Sequence, residues 1–420
     1  MKRLMQAESR LLLFNALFLL CGFLLLSLYW PDGKAKLPQL LGIAAAVSGA
    51  FFLSQRLLRF WEALYLIFPA FLCSMGLILL GRLKPALVTS QAVWIGCGLA
   101  AFFLARYSFQ KIHIWKRYKY TCGLIGLVLL VSAVIFGVDI NGHRSWVVLG
   151  PIRFQPAEFA RLFLIIFFAA YLSERRELLC QNFVRIGPFR LPRGRFIAPV
   201  LCVWLMSMLV LVVERDLGSA LLYYSIALVM LYWASGKWDW LVVGFALFLL
   251  GSVACYTFYG HIQTRVDIWL DPWADATGRG YQIVQSLFAL GWGHILGTGL
   301  FLGYPAMIPE VHTDFIFAAI GEEWGLVGAG GVLCVYLLLI FRAFWTVRGS
   351  REPFVLLLGG GLAFNMAIQV LLILAGVIKA FPLTGITLPF LSYGGSSMVS
   401  NFLLLGILAA LSERSGNHDE

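Results

Sequence analysis

Residues 11–29, LLLFNALFLLCGFLLLSLY, run for a full membrane thickness without one charged side chain. At 1.5 Å per residue such a run carries a helix across roughly 30 Å of hydrocarbon. Comparable runs follow at about 38–54, 61–81, 87–106, 120–138, 157–173, 196–213, 217–235, 238–258, 324–345, 353–378 and 397–412, so twelve spans are predicted. The composition agrees: of 420 residues, 60% are hydrophobic and 13% charged, where a soluble domain carries roughly a quarter charged residues. The chain therefore reads as an all-α polytopic integral membrane protein. Its first run leads straight into further spans and so reads as a span rather than a cleavable signal. The eight cysteines lie mostly singly in apolar runs, with no CxxC pair and no cluster with His. They are expected to be small apolar core residues, not disulfides or zinc ligands.

The net charge of +11 is a topology signal. Basic residues gather at the cytoplasmic ends of spans. One alternating set of connections (the N-terminus, 55–60, 106–119, 174–195, 236–237, 342–352 and the C-terminus), counted with the charged residues at the adjoining span ends, holds 21 Lys+Arg against 9 Asp+Glu; the other, counted likewise, holds 11 against 12. Both termini are thus expected on the cytoplasmic side, with anionic lipid, not nucleic acid, as the partner of the basic rim. The largest cytoplasmic connection, 174–195, carries six Arg but is too short to fold as a nucleotide-binding domain, which argues against ATP as the energy source. The outer connection 259–323 is long and rich in Gly, Trp, Pro and acids, the mark of a functional loop.

Ionisable residues in or near spans are functional candidates by default, and they fall mostly in four outer stretches. The first runs from Asn141-Gly142-His143-Arg144-Ser145-Trp146 to Gln155-Pro156-Ala157-Glu158-Phe159-Ala160-Arg161. Pro156 suits a helix start, and Glu158 and Arg161 share a face as an i,i+3 ion pair. The second, Glu214-Arg215-Asp216-Leu217-Gly218, reads as a charged hairpin turn. The third begins at Arg265, continues through Trp269, Asp271-Pro272 and Gly280-Tyr281-Gln282, and ends at Pro309-Glu310-Val311-His312-Thr313-Asp314-Phe315. Its glycines fit neither a Walker loop nor GxGxxG. Asp314 stands at a helix entrance, and Glu322, at i+8, is the downstream acid expected to approach the same cavity. Gly325, Gly328, Gly330 and Gly331 read as helix-packing positions. The fourth stretch, from Lys379 to Ser397, carries prolines, glycines and hydroxyls that break helix at membrane depth, tolerated only where backbone lines a cavity or is buried in protein.

In these stretches the sequence resembles the SEDS family (shape, elongation, division and sporulation proteins, RodA/FtsW type) over about 140–412. The matching residues are Asn141, Gly142, Arg144 and Trp146; Gln155, Pro156, Glu158 and Phe159; Asp216 to Gly218; Trp269, Asp271 and Pro272; Gly280 to Gln282; Pro309, Glu310 and His312 to Phe315; Glu322, Glu323 and Gly325; and the pattern from Pro382 to Ser397. Ala157 and Arg161 replace the family's usual Ser and Lys, Glu214-Arg215 replaces Gln-Pro, and Lys379 enters a stretch that is usually small or apolar. Common members have ten spans, which makes two N-terminal helices additional. The division expected is one membrane domain, with N-terminal spans over 1–119, the family core over 120–412 and a cytoplasmic tail over 413–420.

The resemblance implies a glycosyltransferase that polymerises lipid II, an undecaprenyl-pyrophosphate-linked disaccharide-pentapeptide, into peptidoglycan on the outer face of the bacterial cytoplasmic membrane. It also implies a class B penicillin-binding protein as crosslinking partner. The family's key acid falls on Asp314, expected as general base on the acceptor hydroxyl, and its cavity ion pair falls on Glu158 and Arg161. Arg144, Arg265 and Lys379 are the cations expected near pyrophosphate. Glu310, His312, Thr313, Ser392, Tyr393, Ser396 and Ser397 are expected to line the substrate site, and a divalent cation, Mg2+ or Mn2+, is a candidate cofactor. Two competing readings are a flippase for the same lipid and a scaffold for the penicillin-binding protein. The first calls for ionisable groups at the midplane, and the second leaves Asp314 without a role.

Overall fold

A computed structural model describes residues 2–30, 33–58, 60–140, 143–150, 152–181, 183–186, 189–192 and 194–416. The helices, in chain order, are α1 (Lys2–Tyr29), α2 (Gly33–Arg56), α3 (Phe60–Leu83), α4 (Val88–Phe109), α5 (Ile112–Arg117), α6 (Lys119–Phe136), α7 (Pro156–Gln181), α8 (Gly194–Val213), α9 (Leu217–Ser235), α10 (Asp239–Phe258), α11 (Gly260–Leu270), α12 (Tyr281–Trp292), α13 (Ile316–Arg348), α14 (Pro353–Val377) and α15 (Gly395–Gly416). Among the described residues twelve helices are long and apolar enough to cross a membrane, the number the run lengths predict. Local chemistry sets their ends: Pro156 opens α7. Asp216 caps α9 by accepting from the Ser219 amide at 2.9 Å, and Gly236, with φ +66, closes it.

Contacts gather into two compact units, each built from separated stretches of chain. The first comprises 1–105, 265–342 and 370–413. Its axis is α3, almost wholly buried, against which α1 and α2 pack. A Cβ at Gly76 would stand 2.5 Å from the Leu391 carbonyl, so only glycine admits the non-helical chain beyond α14. Tyr65 and Tyr336 are buried in this unit and donate to the carbonyls of Arg342 and Pro389.

The second unit comprises 106–264, 343–369 and the C-terminal residues from 414. Here α7 is the buried element, packed by α6, α8 and α9. By contrast, α10 exposes Phe245, Leu247, Leu249, Leu250 and Val253, which is the face expected of a helix whose solvent is lipid.

Three expectations need correction, and the all-α architecture carries two small sheets in its connections. Strands β1 (Gly137–Ile140), β2 (His143–Leu149) and β3 (Ile152–Phe154) form an antiparallel sheet, and β4 (Phe183–Ile186) pairs with β5 (Phe189–Pro192). The span placed at 324–345 starts at Ile316 instead. Its two carboxylates do not mark a loop, because Glu323 lies 2.8 Å from Arg82 and Glu322 accepts from the Tyr304 amide at 2.6 Å. The glycines of that helix are not packing positions throughout. Gly325 takes φ 64 and ψ −164 and kinks the helix, whereas a Cβ at Gly330 or Gly331 would meet nothing within 4 Å. Finally, only Cys73 and Cys122 are buried; Cys21, Cys97, Cys180, Cys202 and Cys334 are exposed and all eight are free, so most serve as small apolar surface rather than core.

At Gly325 a Cβ would stand 2.3 Å from the Gly297 amide nitrogen and 2.5 Å from the Ile295 carbonyl. Gly325→Ala is expected to destabilise the protein by about 1–3 kcal/mol or more, since the backbone region is open almost only to glycine. Gly330→Ala should be neutral or slightly stabilising. Thermal unfolding of the two variants in the same detergent checks the contrast.

Candidate functional site

Asp314 precedes α13 by two residues. A turn delivers it: Glu310 has φ 51, and its carbonyl accepts from the amides of Thr313 at 3.1 Å and Asp314 at 3.2 Å. Because the helix begins only at Ile316, an angular placement of Glu322 relative to Asp314 along one helix does not apply. Glu322 turns to Tyr304 instead.

The segment after α14 is fastened to this turn. Tyr393 donates its amide to the His312 carbonyl at 3.0 Å. The Ser392 hydroxyl donates to the Thr313 carbonyl and accepts from the Leu388 amide at 3.1 Å. Gln91 donates to the Ser392 carbonyl at 3.2 Å, and Ser90 meets the Tyr393 hydroxyl at 3.4 Å. Two prolines and the left-handed residues Lys379, Gly385 and Phe390 keep 378–394 out of helix, so side chains together with turn hydrogen bonds at its two ends satisfy its backbone.

Gly385 marks the centre. A Cβ built there would lie 3.8 Å from Arg265 Nη2 and 4.0 Å from Asp314 Oδ2, so acid and cation flank one bare stretch of backbone. Arg265 is held by the carbonyls of Leu383 at 3.1 Å and Thr384 at 3.4 Å. Burial pushes the Asp314 carboxyl up to about 6, opposed by the Thr313 hydrogen bond and the Arg265 charge. His312 is buried, and that burial, with Lys84, moves its imidazole below the usual range while Glu310 opposes the shift. Its Nε2 lies 3.8 Å from the Glu310 carboxylate.

The remaining expected residues divide. Lys379 donates to the Leu270 carbonyl at 3.3 Å, and its own carbonyl accepts from Trp269 at 3.1 Å, placing it at the end of α11. Ser396 and Ser397 are buried in the first turn of α15, where the Ser397 hydroxyl meets the Asn401 amide at 3.2 Å. In the second unit Glu158 and Arg161 form the expected pair at 2.8 Å, both buried. Asn141 and Gly142 lie outside the described residues, as does the side chain of Arg144. Among the described residues no group of three or more His, Cys, Asp or Glu is arranged to hold a metal ion. A cavity of about 420 Å³ in the first unit is lined chiefly by apolar groups, among them Phe288, Trp292, Met307 and Ile308, with Glu322 as its acid.

Residues not singled out from the sequence join the site. Gly385 sits within the Pro382–Ser397 pattern and could have been marked by its position between broken-helix signals. Gln91, Ser90, Lys84 and Arg82 come from the ends of α3 and α4, and nothing local in the sequence distinguishes them from ordinary span-end polar residues.

A half-buried acid and an arginine set on unwound backbone among membrane spans define a polytopic membrane protein with a polar site of its own. The chain belongs to the FtsW/RodA/SpoVE family, whose profile, described as cell cycle protein, matches residues 56–417. The peptidoglycan glycosyltransferase RodA of Mycobacterium tuberculosis (strain H37Rv) is 41% identical over 372 residues, covering 85% of this chain and 79% of the relative. Stage V sporulation protein E of Bacillus subtilis (strain 168) is 32% identical over 330 residues, covering 77% and 86%. A chain in a solved peptidoglycan synthase complex that coordinates polymerization and crosslinking superposes with a TM-score of 0.71 at 30% identity, covering 84% of this chain and 97% of that one. The rod shape determining protein RodA of Thermus thermophilus gives 0.60 at 28%, covering 83% and 95%. The family match extends well upstream of the motifs at 140–412 and leaves α1 and nearly all of α2 outside it.

Arg161 meets Glu158 through Nη2 alone, a contact a lysine ammonium can reproduce. Arg161→Lys is therefore expected to keep most activity in a peptidoglycan glycosyltransferase assay. Arg161→Ala, which takes this contact away from a buried carboxylate, should lose most of it together with folded protein in size-exclusion chromatography.

Proposed function

We infer that the chain is a peptidoglycan glycosyltransferase that polymerises lipid II into β-1,4 glycan strands on the outer face of the bacterial cytoplasmic membrane. The observation that carries this reading is the placement of Asp314 and Arg265 around Gly385. The names of the relatives support the reaction class. The apolar cavity beside the 304–308 segment supports a lipid-linked substrate.

Asp314 takes the proton from the acceptor GlcNAc 4-hydroxyl as that oxygen attacks the donor MurNAc anomeric carbon. The bond from that carbon to undecaprenyl pyrophosphate breaks, its electron pair leaves with the pyrophosphate, and displacement from the opposite face turns an α-linkage into β-1,4. A carboxyl near 6 is a stronger base than an ordinary aspartate yet is ionised at neutral pH. Arg265 offers the planar fork that suits phosphate oxygens, with Lys379 and Arg144 as further cations. The leaving group carries the driving force, so no nucleotide is required. With no acidic cluster among the described residues, a divalent cation would be held largely by the substrate's own phosphates. The synthase complex that contains the structural neighbour supports a class B penicillin-binding protein as crosslinking partner, and the charge distribution supports cytoplasmic termini.

Asp314→Ala should yield inserted, folded protein that makes no glycan chains from labelled lipid II, with moenomycin present to silence contaminating classical glycosyltransferases. Near-normal polymerisation would overturn the base assignment. The rate should fall on acidification through about pH 6, as Asp314 gains its proton. Arg265 lowers that value, so Arg265→Gln should move the acid limb to higher pH besides slowing the reaction. A limb that stays in place or moves down would show that Asp314 is not the titrating base.

A further inference from the structure

Arg82, in the last turn of α3, uses all three of its guanidinium nitrogens. Nη1 donates to the Phe301 carbonyl and Nη2 to the Gly303 carbonyl, while Nε lies 2.8 Å from Glu323. The Glu323 side chain is fully buried and that of Arg82 is 8% exposed. The guanidinium stacks 4.9 Å from the Tyr29 ring centroid and 5.8 Å from that of Phe301, the two rings being 5.8 Å apart. Beside this cluster the Thr298 and Gly299 amides donate to the Glu322 and Glu323 carbonyls at 2.9 Å and 3.1 Å, and the Tyr304 amide donates to the Glu322 carboxylate. The stretch 298–304 is thereby fastened to α13 just before its kink. Residues 305–315, which carry Asp314, span between these two fixed points.

We propose that Arg82 is a positioning residue for the Asp314 segment, and that α1, which lies outside the family profile, completes the clamp by placing Tyr29 over the guanidinium. The proposal rests on the assignment of Asp314 as the base. It gives the additional N-terminal helix a physical role, in which Tyr29 closes the apolar side of a buried cation whose polar edge is filled by two carbonyls and a carboxylate. Without the ring the guanidinium gains room, and the loop it holds gains freedom at the end nearer Asp314.

The test uses the purified full chain and the variants Tyr29→Ala, Tyr29→Phe and Arg82→Met, with two readouts. Hydrogen exchange of 298–304, followed by mass spectrometry, should quicken roughly tenfold in Tyr29→Ala and more in Arg82→Met. At saturating lipid II, turnover should fall roughly tenfold, and the acid limb should shift down from near pH 6 as water reaches the carboxyl. Tyr29→Phe, which keeps the ring, should match wild type in both. Unchanged exchange in Tyr29→Ala overturns the clamp. Faster exchange with unchanged turnover and acid limb overturns the positioning role, as does lost turnover that only tracks lost folded protein. If Arg82→Met does not fold, Tyr29→Ala, which removes only a ring, still decides. Should Asp314→Ala polymerise normally, the base assignment fails, while the exchange measurement still reports on the clamp.

Discussion

The structure depends on how main-chain polar groups are satisfied where the chain leaves helix inside a bundle of membrane spans. Water cannot be assumed there, and an unpartnered carbonyl is expensive. In the first unit side chains take the place of the missing ladder: Ser286 donates to the Val377 carbonyl, Trp269 to Lys379, Arg265 to Leu383 and Thr384, Tyr336 to Pro389, and Gln91 to Ser392. The Ser392 hydroxyl bridges the Leu388 amide and the Thr313 carbonyl. The position of Asp314 is a result, because the turn that bears it is tied to this segment as well as to the start of α13.

The same constraint explains the charges. Arg265 is there to hold backbone as much as to face a substrate, which keeps its guanidinium in place without a bound ligand. Arg82 does likewise at Phe301 and Gly303, with Glu323 balancing its charge. In the second unit the Asp216 cap, which also accepts from Gln155 at 3.2 Å, holds backbone at the entrance of α9, and the Glu158–Arg161 pair balances charge at the entrance of α7.

Much of this was legible in the sequence. Run length alone predicts all twelve spans, since nothing but a helix satisfies a lone segment in lipid. Prolines and glycines predict the break at 379–394, and the entrance to α13 singles out Asp314. What escaped was long-range or locally ambiguous. The partnership of Arg82 with Glu323 joins residues far apart in sequence, so Glu322 and Glu323 read as loop rather than helix. Gly325 looks like any small residue of a span until its contacts with 295–297 are known. The β1–β2 pairing did carry a signal, an Asn-Gly dipeptide between alternating residues, but apolar length dominates the reading of such a chain. Exposed cysteines could not be told from buried ones, because lipid accepts the same residues as a core.

The segment from Lys379 to Tyr393 has a consequence for how such a chain can vary. In a helix, an inserted residue rotates the turns beyond it and the ladder re-forms around the insertion. Here the carbonyls of Lys379, Leu383, Thr384, Pro389 and Ser392 are matched to side chains on other elements, so adding or deleting a single residue among them would put these partners out of step. Single substitutions remain tolerable where another donor of similar reach can replace the first. Length should therefore be the most strictly kept property of this segment, more so than the identity of most of its residues.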